Sequence, residues 1–149
     1  MQTKSISIWI PGQAVSWKAP VGGARNRYTP KKAKQYQKLV QACAVKAGAK
    51  SIYSDDELYQ MQIIIYKKKP QRCKADSFEL CKGRQDVDNI VKNIKDGLEH
   101  IAYKNDNQVV LHEACQVLSP SVPGVRIIIE QVQEKFLTMA ATLYGEDVE

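Results

Sequence analysis

Residues 84–101 constrain this chain more than any other stretch. Val87, Val91, Ile94, Leu98 and Ile101 recur at i, i+4, i+7, i+11 and i+14, the spacing that lines one face of an α-helix with apolar side chains. Asp88, Lys92 and Asp96 fall four apart and form one row on a different face. Asp86, two residues before Asp88, cannot share that row in a helix and fits instead as the N-cap or last loop residue. Asp106 follows after a short connection, in Asn105-Asp106-Asn107-Gln108-Val109-Val110.

Two readings of these acids stand side by side. In one, Asp86 or Asp88 caps the helix and complements its dipole, while Asp88, Lys92 and Asp96 form a solvated face laced by ion pairs. In the other, an Asp-x-Asp pair, a lysine one turn on and an Asp at a strand edge make a divalent-metal site. Hard Mg²⁺ takes a few carboxylate oxygens plus waters, with phosphate oxygens completing its shell.

Charge bears on the choice. The chain has 149 residues, enough for one domain with a real core, and a net charge of +6. No Asp or Glu occurs before Asp55, whereas Lys and Arg recur through residues 4–50. A basic protein whose acids cluster at one helix suits a metal nuclease, in which cations hold phosphates and acids hold the metal. The charge alone equally fits a non-catalytic nucleic-acid-binding protein.

The flanking segments supply the rest of a domain. Ser5-Ile6-Ser7-Ile8-Trp9-Ile10 alternates with period two and reads as a strand ended by Pro11-Gly12. Residues 13–28 carry Lys18, Arg25, Arg27 and Gly22-Gly23 without helical period, and read as a mobile basic loop near the site. It is either a DNA-backbone clamp, with Trp17 and Tyr28 to stack on exposed bases, or an ordinary polar connection. Thr29-Pro30 starts a helix running to about residue 47, with Tyr36, Leu39, Val40 and Cys43 inward and Gly48 at its end. A strand follows over 58–66. Then Lys67, Lys68, Lys69, Pro70 and Arg72 form a basic run that leads through Phe78 and Leu80 to Arg84 and the acidic motif. Beyond the motif helix, residues 109–118 and 125–132 read as strands joined by a Ser/Pro/Gly turn, so the two can form a hairpin. Residues 135–143 can form a terminal helix, with 145–149 as a frayed tail. The order β, α, β, α, β, β gives one mixed α/β (α+β) domain over residues 1–149, a mixed β-sheet packed with helices.

The four cysteines form no Cys-x-x-Cys pair. No apolar run reaches membrane-spanning length and no secretory signal is present, so reduced thiols in a cytoplasmic protein, with no membrane association, are expected. A zinc site from Cys73, Cys81, His112 and Cys115 matches no usual spacing. His112 reads as structural or solvent-facing, and His100 as the end of the motif helix.

At its motifs the sequence resembles the RusA-like family of Holliday-junction resolvases, small nucleases of bacteria and their prophages. The residues that carry the likeness are Asp86-Val87-Asp88-Asn89, Lys92, Asp96-Gly97-Leu98 and Asp106-Asn107-Gln108-Val109-Val110, with Ile10-Pro11-Gly12 and Arg27-Tyr28-Thr29-Pro30 upstream. The likeness is densest over residues 84–110. It implies a Mg²⁺-dependent endodeoxyribonuclease, with Mn²⁺ able to substitute, that cuts four-way DNA junctions by paired symmetric nicks and works as a homodimer. Asp86, Asp88 and Asp106 would bind the metal, Lys92 would assist catalysis, and Asp96 would orient Lys92. Lys18, Arg25, Arg27, Lys67, Lys68, Lys69, Arg72 and Arg84 are the expected DNA contacts. One departure stands out: the family usually has two aspartates before the Gln-Val-Val strand, and the first is Asn105 here. Activity on flaps or forks, and binding without catalysis, remain the alternatives.

Overall fold

A computed structural model of the chain describes residues 4–17, 31–69, 78–80 and 86–148. In order, these form β1 (Ser5–Pro11), α1 (Lys31–Lys46), β2 (Tyr59–Lys68), β3 (Glu79–Leu80), α2 (Val87–Leu98), β4 (Val109–Ser119), β5 (Gly124–Gln131) and α3 (Lys135–Val148). Short 3-10 turns lie at Ala49–Ser51 and Asp106–Gln108.

The strands join one sheet in the order β1-β5-β2-β4-β3. β2 and β4 run parallel and the other neighbours antiparallel. Two parallel neighbours cannot be joined by a tight turn and need a long crossover. Here that crossover contains β3 and α2, so the motif helix lies between β2 and β4 in sequence and packs against both α1 and β4.

Alternation along the strands sets the core. Ile6, Ile8 and Ile10 of β1, Met61, Ile63 and Ile65 of β2, and Val125, Ile127 and Ile129 of β5 are buried with Ile90, Val91, Ile94 and Leu98 of α2 and Tyr36 and Val40 of α1. The opposite sheet face carries an exposed polar row, Ser7, Gln62 and Glu113, linked through Ile128 of β5. At the α1–α2 contact, a Cβ on Gly97 would stand 3.1 Å from both the Gln37 carbonyl oxygen and the Val40 Cβ. Glycine there lets the two helices approach closely.

The mixed sheet packed with helices agrees with the sequence expectation, and the differences have physical causes. β4 and β5 form no hairpin, because β2 lies between them. β2 carries Met61, Ile63 and Ile65, all buried, and as a central strand it satisfies its backbone on both edges. Residues 120–123 can reach roughly 13 Å, enough to step over one strand, which takes about 9.6 Å. β3, two residues long, carries too little pattern to be found in sequence. Leu39, expected inside, is 37% exposed, and Ala33 and Ala44 take inward positions instead. α1 ends before Gly48, whose φ of 85° only glycine adopts freely. α2 stops at Leu98, and His100 sits beyond it with φ 67°. α3 continues through Val148, past the expected stop at 143 and into the expected frayed tail. Thr29, Pro30 and Tyr28 lie outside the described residues.

Candidate active site

The start of α2 is built by its own acids. Asp86 is the N-cap, in extended backbone, and its carboxylate accepts the Asp88 N–H at 3.0 Å. Asp88 follows in the first turn, where the helix dipole favours a negative charge. Helical spacing then places Lys92 and Lys95 on the same side as Asp88. The crossover brings β4 alongside, and a cleft of about 310 Å³ opens between the two elements. Its lining is Asp88, Val91, Lys92, Lys95, Asp106 and His112. Asp88, Lys92 and Asp106, singled out in the sequence, are thus brought together. Asp86 caps the helix two residues before Asp88 and is not part of that lining.

Asp106 is held by a local network. Its N–H donates to Glu99 Oε1 at 3.2 Å. Gln108, buried, accepts the N–H groups of Lys104 and Asn105 at 2.9 and 3.0 Å. Its amide nitrogen donates to the carbonyl oxygens of Ser54 and Glu57, both at 2.9 Å. The turn that carries Asp106 is therefore clamped to the loop before β2. Asn105 caps the same turn by accepting the Asn107 N–H at 3.0 Å. That role needs only a side-chain oxygen, which Asn supplies as well as Asp does. The departure from the family pattern at this position therefore preserves the turn.

Behind the cleft the charges interact. Burial pushes the Asp96 carboxyl above its ordinary value; Lys92 opposes the shift, Asp106 and Glu99 add to it, and Lys95 opposes it. Tyr103, fully buried, donates to the Lys95 carbonyl oxygen at 2.8 Å. Burial first, then Asp106, Glu99 and Asp96, raise its phenol well above the usual range. Among its charged neighbours Asp96 thus feels Lys92 first, then Asp106 and Glu99.

The segment after β1 also reaches this helix. The Trp17 N–H donates to the Asn89 carbonyl at 2.8 Å. Asn93, fully buried, donates to the Val15 carbonyl at 3.0 Å and accepts from Gln37 of α1 at 2.9 Å. The Lys92 ammonium lies 4.2 Å from the Trp17 ring centroid. Residues 13–17 are thus docked on α2, where the sequence suggested a mobile loop.

The expected DNA contacts divide. Lys18, Arg25, Arg27, Arg72 and Arg84 lie outside the described residues, as do Cys73 and Cys81. Lys67 and Lys68 pair with Leu118 and Ser119, at the end of β4 far from Asp106, roughly 30 Å away at about 3.3 Å per residue. Lys69, next along, is buried. These three lysines do not line the cleft. Three residues that the sequence reading did not place in the site do belong to it. Lys95 was legible, since 88, 92 and 95 follow helical spacing. His112 faces the cleft from β4, a placement that depends on the crossover, whereas Glu99 holds Asp106 from seven residues away across the turn that follows α2.

Among the described residues no three acid, imidazole or thiol groups already sit at metal-ligating separation. Asp88 and Asp106 nonetheless give two carboxylates on one cleft. Mg²⁺ is usually held by one or two carboxylates, with waters and substrate phosphate filling the rest. The donor set is hard oxygen and fits such a cation.

Two carboxylates, Asp88 and Asp106, and two lysines, Lys92 and Lys95, thus share one cleft on a mixed sheet with a crossover helix. The family model for endodeoxyribonuclease RusA matches residues 11–130, which include every element of the cleft, and the chain belongs to that family. It is an endodeoxyribonuclease by family, and the family links it to Holliday junctions and branched DNA. The chain is also 29% identical over 140 residues to the uncharacterized protein YqaN of Bacillus subtilis (strain 168), covering 85% of this chain and 96% of that protein. No helix among the described residues is long and apolar enough to cross a membrane.

Proposed function

We propose that the protein is a Mg²⁺-dependent nuclease that resolves four-way DNA junctions by paired symmetric nicks, acting as a homodimer inside a bacterial cell, from a bacterial or prophage gene. The observation that carries this reading is the meeting of Asp88, Asp106, Lys92 and Lys95 in one cleft. Asp88 and Asp106 would hold the cation, and Asp86 would assist them from the N-cap of the same helix. Bound there, the metal supplies Lewis-acid polarisation of the phosphoryl group and a more acidic water. Mn²⁺, equally an oxygen-seeking ion, would substitute. The protein's own part is positioning and charge. Lys92 directs its ammonium at the negative charge that grows on the phosphoryl oxygens, an interaction worth more in the transition state than in the ground state. Lys95 adds a second cation on the same wall. Glu99 and Gln108 hold the Asp106 turn so that little reorganisation is needed during reaction. Two symmetric cuts by a chain with one cleft call for a two-fold dimer.

The test uses a labelled four-way junction and a matching linear duplex, each with wild type, Asp86→Asn, Asp88→Asn and Asp106→Asn, in Mg²⁺ or EDTA. The expected result is paired nicks in the junction alone, only with Mg²⁺. Asp88→Asn and Asp106→Asn should lower the rate about 100-fold or more while junction binding is kept or strengthened, because a charge that repels phosphate is gone. Cutting of flaps and forks at the same rate would retain the nuclease and remove junction selectivity. Tight binding with no cut under any metal would leave a non-catalytic DNA-binding protein.

A further inference from the structure

We infer that Trp17 is the positioning residue of Lys92, a seat that holds the lysine over the cleft. The inference rests on the assignment of Lys92 to catalysis given above. An exposed lysine on a flexible four-carbon stem samples many rotamers, and a nuclease that depends on one ammonium gains by restricting them. A carboxylate seat would do so but would also neutralise the charge meant for the phosphate. An aromatic face attracts the cation through its quadrupole and leaves the positive charge in place. The Lys92 ammonium lies 4.2 Å from the Trp17 ring centroid, inside the range of that interaction.

The backbone that carries the ring is fastened to the helix it serves. Trp17 N–H bonds the Asn89 carbonyl, and Val15, two residues earlier, is bonded by Asn93. Asn89 and Lys92 are i and i+3 on α2 and so neighbours on its surface, while Asn93, one turn beyond Asn89, anchors the segment from the buried side. Asn93 is fully buried and bonded to Gln37 of α1, and Ala14 is buried in the core. Trp17 therefore ends a segment fastened to α2, through an asparagine that is itself bonded to α1, and in sequence it directly precedes Lys18 and the basic residues expected to meet DNA. A tryptophan free to stack on bases would have no need of this fastening.

The experiment compares wild type, Trp17→Ala, Trp17→Phe, Lys92→Ala and the Trp17→Ala/Lys92→Ala double variant. Single-turnover cleavage of a four-way junction is measured at saturating protein, with junction affinity measured separately in EDTA. Trp17→Ala should cut about tenfold more slowly with unchanged affinity, and Trp17→Phe, which keeps an aromatic face, should recover most of the rate. The double variant should be no slower than Lys92→Ala. Independently of activity, NMR should show the Lys92 ε-methylene protons shifted upfield by the indole ring, and Trp17→Ala should abolish that shift. A loss of affinity in Trp17→Ala with the saturated rate unchanged would assign Trp17 to base stacking and overturn the inference. So would equal loss of rate in Trp17→Phe and Trp17→Ala together with a lowered Tm in both, which marks a purely structural residue. If Lys92→Ala cuts like wild type, the role of Lys92 falls; if Lys92→Ala is slow and Trp17→Ala is not, only the inference made here falls.

Discussion

At the scale of single residues, Asp96 shows how one carboxylate can be picked out by spacing while its surroundings are set by the fold. Its spacing from Lys92 suggested a partner for that lysine. In the fold it is half-buried beside Glu99 and Asp106, and burial is the largest cause of its raised pKa. The consequence for stability has a definite sign. The folded value lies above the ordinary one of 3.8, so the folded state resists losing this proton. Below the unfolded value the carboxyl is neutral in both states and costs nothing. As pH rises through the folded value, stability is lost. Asp96→Asn, neutral at every pH, should therefore raise Tm at pH 7 in EDTA, and the advantage should vanish below about pH 4. Thermal unfolding across that range checks it; an advantage that grows on acidification would contradict the assignment. Asn105 teaches the converse. As a letter it departs from the family pattern, but as an oxygen acceptor capping the Asp106 turn it departs in nothing that the turn requires.

Among the elements, the short turn Asp106–Gln108 matters out of proportion to its length. Gln108 bonds four backbone groups on two separate loops. In sequence it stands inside the motif that ends in Val109-Val110, with no role of its own assigned to it. Gln108→Ala leaves several of those groups without their partner and should cost about 2–3 kcal/mol, measured by denaturant unfolding. It should also slow cleavage, because Asp106 loses its fixed turn. A variant of native stability would show that the clamp contributes nothing. The motif helix is the opposite case. Its apolar period and its N-cap were both readable, because helix periodicity and capping are local properties. The β4–β5 hairpin was misread for a related reason: two strands and a turn look alike whether or not a third strand lies between them. Pairing is a choice among non-local partners, and the hydrophobic pattern of β2 decides it only once the sheet is assembled.

In the whole molecule, the sheet, α1 and α2 form the core, and α3 stands apart from it. Leu137, Met139, Leu143 and Tyr144 of α3 are all at least half exposed, and none of its described side chains is buried. Removing residues 135–149 should therefore leave Tm within about 2 °C of the full chain, as a helix that buries no side chain adds little to the unfolding free energy. Differential scanning calorimetry on the two proteins is the measurement, and a loss of more than about 5 °C would mean that α3 supports the core. Sequence by itself determined the mixed α/β class, the motif helix with an acid at its start, and Asp86, Asp88, Lys92 and Asp106 as candidates for one site, because each follows from spacing along one element or from a motif of short range. Only the tertiary structure decided what stands around them. The parallel β2–β4 crossover brought His112 and the Glu99-held Asp106 against α2, set Lys67 and Lys68 at the distant strand end, and laid Trp17 beneath Lys92. Those placements depend on which distant segments share an edge or a face, and spacing along a single chain does not encode that directly.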